Sequence, residues 1–516
     1  MKRTVDMLKR VIVAFGVVFL GGAAGFAQTT PTLSLAAGKV GISGNEAGAA
    51  NNFEFYMEPS GYPRAVTAGE TIFTMGSWPS GKNPTFTDDK SNTWTAVPSC
   101  TDSQNTTHGF FYAVNAAAGT SVITHTYSTS VDNEVFDWAH FYNMSTTSSD
   151  FVDGSSCKIG VTPSNNTVPN ISGTAYTTAT NGDLILICVY VEQGSLGNPN
   201  AISSITFPAG FTGLSEDATY GHSCAYGVQT TAGSFTPTFT IAQGTHNTFT
   251  IMSAAFQAGT GGTAPANGAS VLLSEMHYAG AQGQTDTVYL PCPAGVSAIV
   301  VADDAASLST VTDSSSNTWS HVPAPGGDYG PIFFVNNPTI AVSNLYSISM
   351  KFNPTGNYDL VGLFCVVNTN GIDTAATAQD GSTLNGAGSG SVYGSGSLSG
   401  STISNIPATG TSASGDLVFD VGAMGTGPVD SCVTGRCVFD YVGSTSWSNG
   451  DNESYANGDL MAHSYAATAS TVSFDYNIGN GSSGSASGVS LALKPASGGG
   501  GQNPPAPPTG LKATVQ

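Results

Sequence analysis

The chain of 516 residues carries 13 basic and 34 acidic side chains, a formal charge of −21, which argues against nucleic acid or an acidic lipid surface as a partner. Only 9% of its residues are charged, whereas 40% are hydrophobic and 64 are glycine. The wet faces of helices usually carry Lys, Glu and Arg, so a chain whose polarity comes from hydroxyls and amides points to strands and loops.

Residues 1–27 read as a signal peptide. Lys2, Arg3, Lys9 and Arg10 make a basic region, Val11 to Leu20 an apolar one, and Gly25-Phe26-Ala27 a small-residue cleavage site. The apolar run is short for a membrane span, so export with cleavage is expected, and an uncleaved anchor is the alternative. No membrane contact is expected after cleavage.

Residues 28–260 form the first of two expected copies. "AGETIFTMGSW" (Ala68 to Trp78) sets a Gly-acid turn before an apolar run and leaves Trp78 beside small, loop-like residues. "TDDKSNTW" (Thr87 to Trp94) places Asp, Ser and Asn at a junction of two strands, where their side chains bond local backbone, and Trp94 then opens the next strand. Ca²⁺ held through Asp88 is the alternative there, although an EF-hand-like loop needs more oxygen ligands. "DNEVFDWAH" brings Glu134 and Asp137 close in sequence, a candidate for the paired carboxyls of a glycosidase, and adds Trp138. His125 and His140 sit in strand-like runs and are expected to be hydrogen-bonded structural residues. "DLILICVYV" is continuously apolar, as a central strand covered on both faces is. Cys188 and Cys224 lie in successive strand-like runs and are a candidate disulfide, with Cys100 and Cys157 as another. "AGTGGTAPANGA" (Ala258 to Ala269) has linker composition, and residues 261–267 are assigned to it.

Residues 268–496 form the second copy. At one constant offset Thr87-Asp88 falls on Thr312-Asp313, Asn92-Thr93-Trp94 on Asn317-Thr318-Trp319, and Asn143 on Asn368. Asp313 thereby inherits both readings of Asp88. Farther along the gaps grow by a few residues and Gly182 meets Gly415, as loop insertions between strands of constant length produce. Cys365 falls opposite His140 and reads equally well as a buried free thiol. Cys432 and Cys437 in "SCVTGRC" are the favoured small-loop disulfide, and "GSTSWSNG" places Trp447 in a small-residue loop. Each copy shows signs of an internal duplication, since "AGETIFTMGSW" and "TNGDLILICVY" share the turn before an apolar run.

Residues 497–516 are a Gly-rich tract and then a Pro-rich spacer, "ASGGGGQNPPAPPTGLKATVQ" closing the chain. Residues 504–516 resemble the opening of a fibronectin type III domain, which implies a modular extracellular bacterial setting. "DxxxNTW", the "GDL" strand start and the terminal "LALKPA" resemble repeat modules of unknown role in large secreted bacterial proteins.

Short β-branched and aromatic runs between turn clusters predict an all-β chain: two tandem β-sandwich repeats of jelly-roll type, each quasi-duplicated, with two smaller sandwiches per copy as the alternative. There is no CxxC, HExxH or GxSxG motif. Trp78, Trp138 and Trp447 are candidates for stacking on a sugar. The expected function is a non-catalytic extracellular module pair for adhesion, surface display or glycan binding, its partner an extracellular glycan or a cell-surface protein. The alternatives are a secreted polysaccharide hydrolase working through Glu134 and Asp137, and a structural spacer of an envelope or appendage.

Overall fold

The structure is a computed structural model that describes residues 29–39, 50–131, 134–161, 168–192, 204–217, 222–242, 248–279, 285–303, 308–322, 331–341, 346–353, 359–373, 378–380, 401–403, 411–412, 414–424, 429–432, 438–442, 458–466, 470–471, 476–478 and 486–496. The signal segment and the Pro-rich tail lie outside the described residues. Among the described residues the fold is all-β, and no helix is long and apolar enough to cross a membrane.

Four successive groups of strands follow one pairing order. In residues 32–142 the first strand, Thr32–Lys39, lies antiparallel beside the last, Val135–Tyr142. Thr71–Pro79, Thr106–Ala113 and Trp94–Ala96 follow in that order. In residues 152–256 the order is Val152–Val161, Thr248–Phe256, Asp183–Glu192, His222–Gln229, Thr212–Asp217. In residues 270–367 it is Ser270–Ala279, Asp359–Val367, Ala298–Asp303, Ile332–Asn336, Ser320–Val322. In residues 369–495 it is Thr369–Ile372, Ala486–Pro495, Leu417–Met424, Gly458–Tyr465, Val438–Val442. Each group adds a smaller three-stranded sheet, such as Ala50–Tyr56, Val122–Val131 and Thr85–Asp88 in the first. The first and third groups are joined by a parallel pairing of Thr32–Lys39 with Ser270–Ala279, which makes one 11-stranded sheet.

Strand periodicity explains how the groups pack. Successive side chains of a strand point to opposite faces, so a strand apolar throughout needs cover on both. In Thr71–Pro79, Ile72 and Trp78 face the small sheet of their own group, in one cluster with Phe55, Phe86 and Ile123. Phe73 and Met75 face the other way, against Leu184, Leu186, Phe256 and Tyr226 of the second group. Asp183–Glu192 divides similarly: Leu184, Leu186 and Tyr190 meet the first group, while Ile185, Ile187 and Val189 pack with Ile171, Ile205 and Phe239 of their own small sheet. The third and fourth groups repeat this, with Val300, Phe334 and Phe364 against Phe419, Val421 and Leu491. Each fully buried Leu, Ile or Phe contributes about 1.5–3 kcal/mol.

Two turns carry the repetition into backbone detail. Gly69, Gly182, Gly295 and Gly415 all have positive φ, between 78° and 92°, in the turn that enters the second large-sheet strand of each group. The duplicated "SNTW" turn is closed by one aspartate. Asp88 Oδ1 accepts from the amides of Lys90 (2.9 Å) and Asn92 (3.1 Å), and Asp88 Oδ2 accepts from the Trp94 indole at 2.8 Å. Asp313 does the same for Ser315 (2.8 Å), Asn317 (3.3 Å) and Trp319 (2.6 Å). Ser91 and Ser316 share a φ of 59°, and Asn92 and Asn317 each accept an amide at 2.8 Å, from Ala117 and Thr339.

Residues 261–267, assigned to the linker, lie against the first group. Gly261 accepts the Asn143 amide at 2.6 Å and donates to Met144 at 2.8 Å, Thr263 donates to Thr67 Oγ1 at 2.9 Å, and Ala266 donates to Pro63 at 2.9 Å. These bonds dock the connector on the first group. Cys365, read as equally compatible with a free thiol, is bonded to Cys292; Cys188–Cys224 and Cys100–Cys157 are the other disulfides among the described residues.

Asp88→Ala strips three N–H groups of their acceptor and is expected to cost about 2 kcal/mol. Asp313→Ala should cost a similar amount in the same urea titration; a loss at only one of the two would contradict their equivalence.

Candidate functional site

The residues picked out from sequence are largely turned inward. Trp78 is 2% exposed, and its ring stacks on Phe136 with centroids 5.8 Å apart and planes at 8°. Trp138 is 5% exposed. Neither presents a face to a sugar, which corrects their reading as exposed platforms. Thr74 to Pro79 of "TMGSWPSG" is strand, with Ser80 and Gly81 in the turn that follows, and glycines make room for rings there: a Cβ on Gly76 would enter the Phe136 ring, and one on Gly109 of the neighbouring strand would stand 2.6 Å from Trp78. Trp447 and Cys437 lie outside the described residues, and with them the Cys432–Cys437 pairing. At Asp88 and Asp313 both carboxylate oxygens accept N–H donors, which accounts for an acidic residue in this turn without a cation.

Glu134 and Asp137 are not brought together. Three positions apart in extended chain, they project to opposite faces. Glu134 is bound by His125 Nε2 at 2.8 Å and by the Tyr127 hydroxyl, on the side of the small sheet. Asp137 is buried on the face turned to the second group.

Around Asp137 the structure assembles a polar cluster that sequence reasoning missed. Its Oδ2 accepts from Ser215 Oγ at 2.7 Å and stands 3.2 Å from His222 Nε2. The His222 ring stacks on Tyr190 at 4.7 Å and 19°, and Tyr190 in turn lies 4.3 Å from His108. His108 Nε2 is 2.9 Å from Asp102 Oδ2. Across the seam between the first and third groups, Asp137 pairs with Gly38, and Gly38 with Glu275. A Cβ on Gly38 would lie 3.0 Å from Ser215 Cβ, 3.1 Å from Asp137 Oδ1 and 3.7 Å from Glu275 Cγ. Three groups therefore meet at one glycine, and the only sequence trace is a Gly after the small apolar pair Ala36-Ala37 of its strand.

Burial, and then the Asp137 charge, push the Tyr190 phenol well above its ordinary range. Burial lowers the His108 ring despite the opposing pull of Asp102, which leaves it neutral at pH 7. The order of groups matters for chemistry. In a nucleophilic triad the imidazole stands between hydroxyl and carboxylate; here the carboxylate lies between Ser215 and His222, so the ring is not placed to take the hydroxyl proton. Cys188 Sγ, Cys224 Sγ and His222 Nε2 lie within 4.8 Å of one another, a spacing suited to a metal ion. The disulfide joining the two sulfurs withholds the thiolates such a site requires.

A second buried network binds three groups together. Arg64 donates its backbone amide to Glu58 Oε2 (2.9 Å), its Nε to Ser270 Oγ (2.9 Å) and its Nη1 to the Ser34 carbonyl. Glu70 accepts from the hydroxyls of Ser34 and Thr67, both at 3.0 Å, and pairs with His140 Nδ1. His463 of the fourth group lies 3.8 Å from Glu58. Burial brings the Arg64 guanidinium down to about 10 against the pull of Glu58 and Glu70, and the side chain remains charged at neutral pH.

Comparisons with protein-family models, with curated proteins and with solved structures find no match to this chain.

Gly38→Ala is expected to cost about 1–3 kcal/mol by overpacking. Thermal unfolding should show a smaller penalty for it in a Ser215→Gly background, where the opposing Cβ is gone; an unchanged penalty would refute the contact. Under native conditions, reductant followed by alkylation and mass mapping should open partly buried Cys100–Cys157 before Cys188–Cys224 and Cys292–Cys365, whose sulfurs are buried. Simultaneous opening would contradict that order.

Proposed function

We propose that this chain is an exported, non-catalytic extracellular module pair that serves surface display or a rigid spacer role. In this reading residues 28–260 and 268–496 are tandem β-sandwich repeats of jelly-roll type, each duplicated within itself, and the shared pairing order of the four strand groups supports it. The three disulfides support an oxidising compartment. A surface partner would engage the rims of the assembly, where its loops connect strands.

One observation carries the choice among extracellular roles. Among the described residues the histidines other than His321 are buried, and no tryptophan is exposed. Trp78 and Trp138 are core, Trp94 and Trp319 are tied to aspartates, and the only exposed large apolar side chain is Ile159. Sugar-stacking platforms and hydrolytic carboxyl pairs both require groups that a ligand reaches.

A glycan array and a general glycosidase screen on residues 28–496 test this. Neither retention nor turnover is expected. Glycan retention abolished by Trp447→Ala would replace the display reading with sugar binding. Turnover abolished by Asp137→Asn or Glu134→Gln would replace it with the hydrolase.

A further inference from the structure

The common pairing order lets the same two positions be compared across the four groups. In the first, Leu33 and Leu35 pair with Phe141 and His140, which leaves Ser34 in a bulge; Glu70 directly precedes Thr71, which also pairs with Phe141. In the second, Val152 and Gly154 pair with Phe256 and Ala255, which leaves Asp153 in the bulge; Asp183 directly precedes Leu184, which also pairs with Phe256. Ser34 with Glu70 thus corresponds to Asp153 with Asp183. The third group puts Leu272 and Ser297 there, and the fourth puts Asp373 and Asp416, following Ile372 and preceding Leu417.

The slot's chemistry differs between the first two groups. Glu70 receives two hydroxyls and an imidazole. Asp183 is 0% exposed, and neither of its oxygens accepts a hydrogen bond. What faces it is the carboxyl group of Asp153. Asp153 Oδ2 already accepts the amides of Ala179 and Thr180, both at 2.7 Å. The other titratable group bearing on Asp183 is the Tyr176 phenol, which is held by Ser253 Oγ at 2.8 Å and raised, chiefly by burial. Gln229, opposite Asp183 on His222–Gln229, and Phe256 on Thr248–Phe256 are uncharged. Two carboxyls in contact repel when both are charged, so one of them keeps its proton to a higher pH than a free carboxyl does.

We propose that Asp153 and Asp183 hold one proton between them, Asp183 donating it to Asp153, and that this proton latches the bulge of Val152–Val161 to the start of Asp183–Glu192 and is released in mild alkali. Burial, then the Asp153 contact, push Asp183 up to about 8. For Asp153, burial is outweighed by the hydrogen bonds from Asp183, Thr180 and Ala179, and its carboxyl is held low. The folded chain therefore keeps a proton that the unfolded chain loses near pH 4. The latch's stabilisation is complete below that pH, declines as pH rises and is gone above about 8. The buried His108 ring acts in the opposite sense, since its contribution is present above about pH 6.5 and lost on acidification.

The test is equilibrium urea unfolding of the full chain from pH 5 to 9 in EDTA, wild type against Asp183→Asn. The variant's amide donates to Asp153 at every pH, and subtracting the two curves removes His108. The wild-type unfolding constant, relative to the variant, should rise by up to tenfold per pH unit until about pH 8 and then level off. A difference independent of pH would overturn the latch. Replacing EDTA with CaCl₂ at pH 9 should leave the wild type unchanged; recovery of stability by Ca²⁺ would instead make the pair a cation site. Infrared spectroscopy of the wild type needs no variant to fold. A carboxylic acid band present at pH 7 and lost by pH 9 is expected, and its absence at pH 7 would refute the shared proton.

Discussion

Strands that are apolar on both sides impose one requirement on this molecule: every large sheet must be covered twice. A single small sheet of three strands covers one face. The second face is left to another large sheet, and that is why the groups associate in pairs, first on second and third on fourth. The edge pairing of Thr32–Lys39 with Ser270–Ala279 then converts two such pairs into one body. Its polar consequences follow. Where three groups converge, crowding by the side chains of Ser215, Asp137 and Glu275 selects glycine at position 38, and the acids and histidines caught at the seam bond one another.

Much of this arrangement can be read from the residues. The "SNTW" turns repeat because Asp88 and Asp313 have the same three donors to satisfy. Asn143 and Asn368 recur because each holds a left-handed backbone, with φ of 62° and 60°, at the exit of a strand. The alignment of Cys365 with His140 is matched by register, since each pairs with an isoleucine, Ile299 and Ile72, on the neighbouring strand. "DLILICVYV" is buried on both faces, as its unbroken apolarity implies.

Other features were illegible for identifiable reasons. Glycine and serine around Trp78 look like loop residues, but Gly76 and Gly109 are hollows that admit Phe136 and Trp78. Sequence proximity of Glu134 and Asp137 suggested a pair, whereas a strand's alternation separates residues three apart. The polar seam draws on Gly38, Asp137, Ser215 and Glu275, whose meeting depends on a parallel pairing between distant strands that no local pattern encodes. Cys292 lies 73 residues from Cys365, its disulfide partner, and no local pattern links them.

The scarcity of charge also acquires a physical meaning. Many of the titratable groups that exist are interior, where they pair within the first group (His108 with Asp102, His125 with Glu134, His140 with Glu70) or between groups (His222 with Asp137, His463 with Glu58). Removing one partner of such a buried pair costs more than the pair itself contributes, because the group left behind is buried without its partner.

Hydrogen–deuterium exchange of the intact chain tests the edge pairing most directly. If Thr32–Lys39 lies in the middle of an 11-stranded sheet, its amides exchange as slowly as those of Thr71–Pro79. Exchange as fast as that of the edge strand Trp94–Ala96 would mean that the first and third groups are not joined.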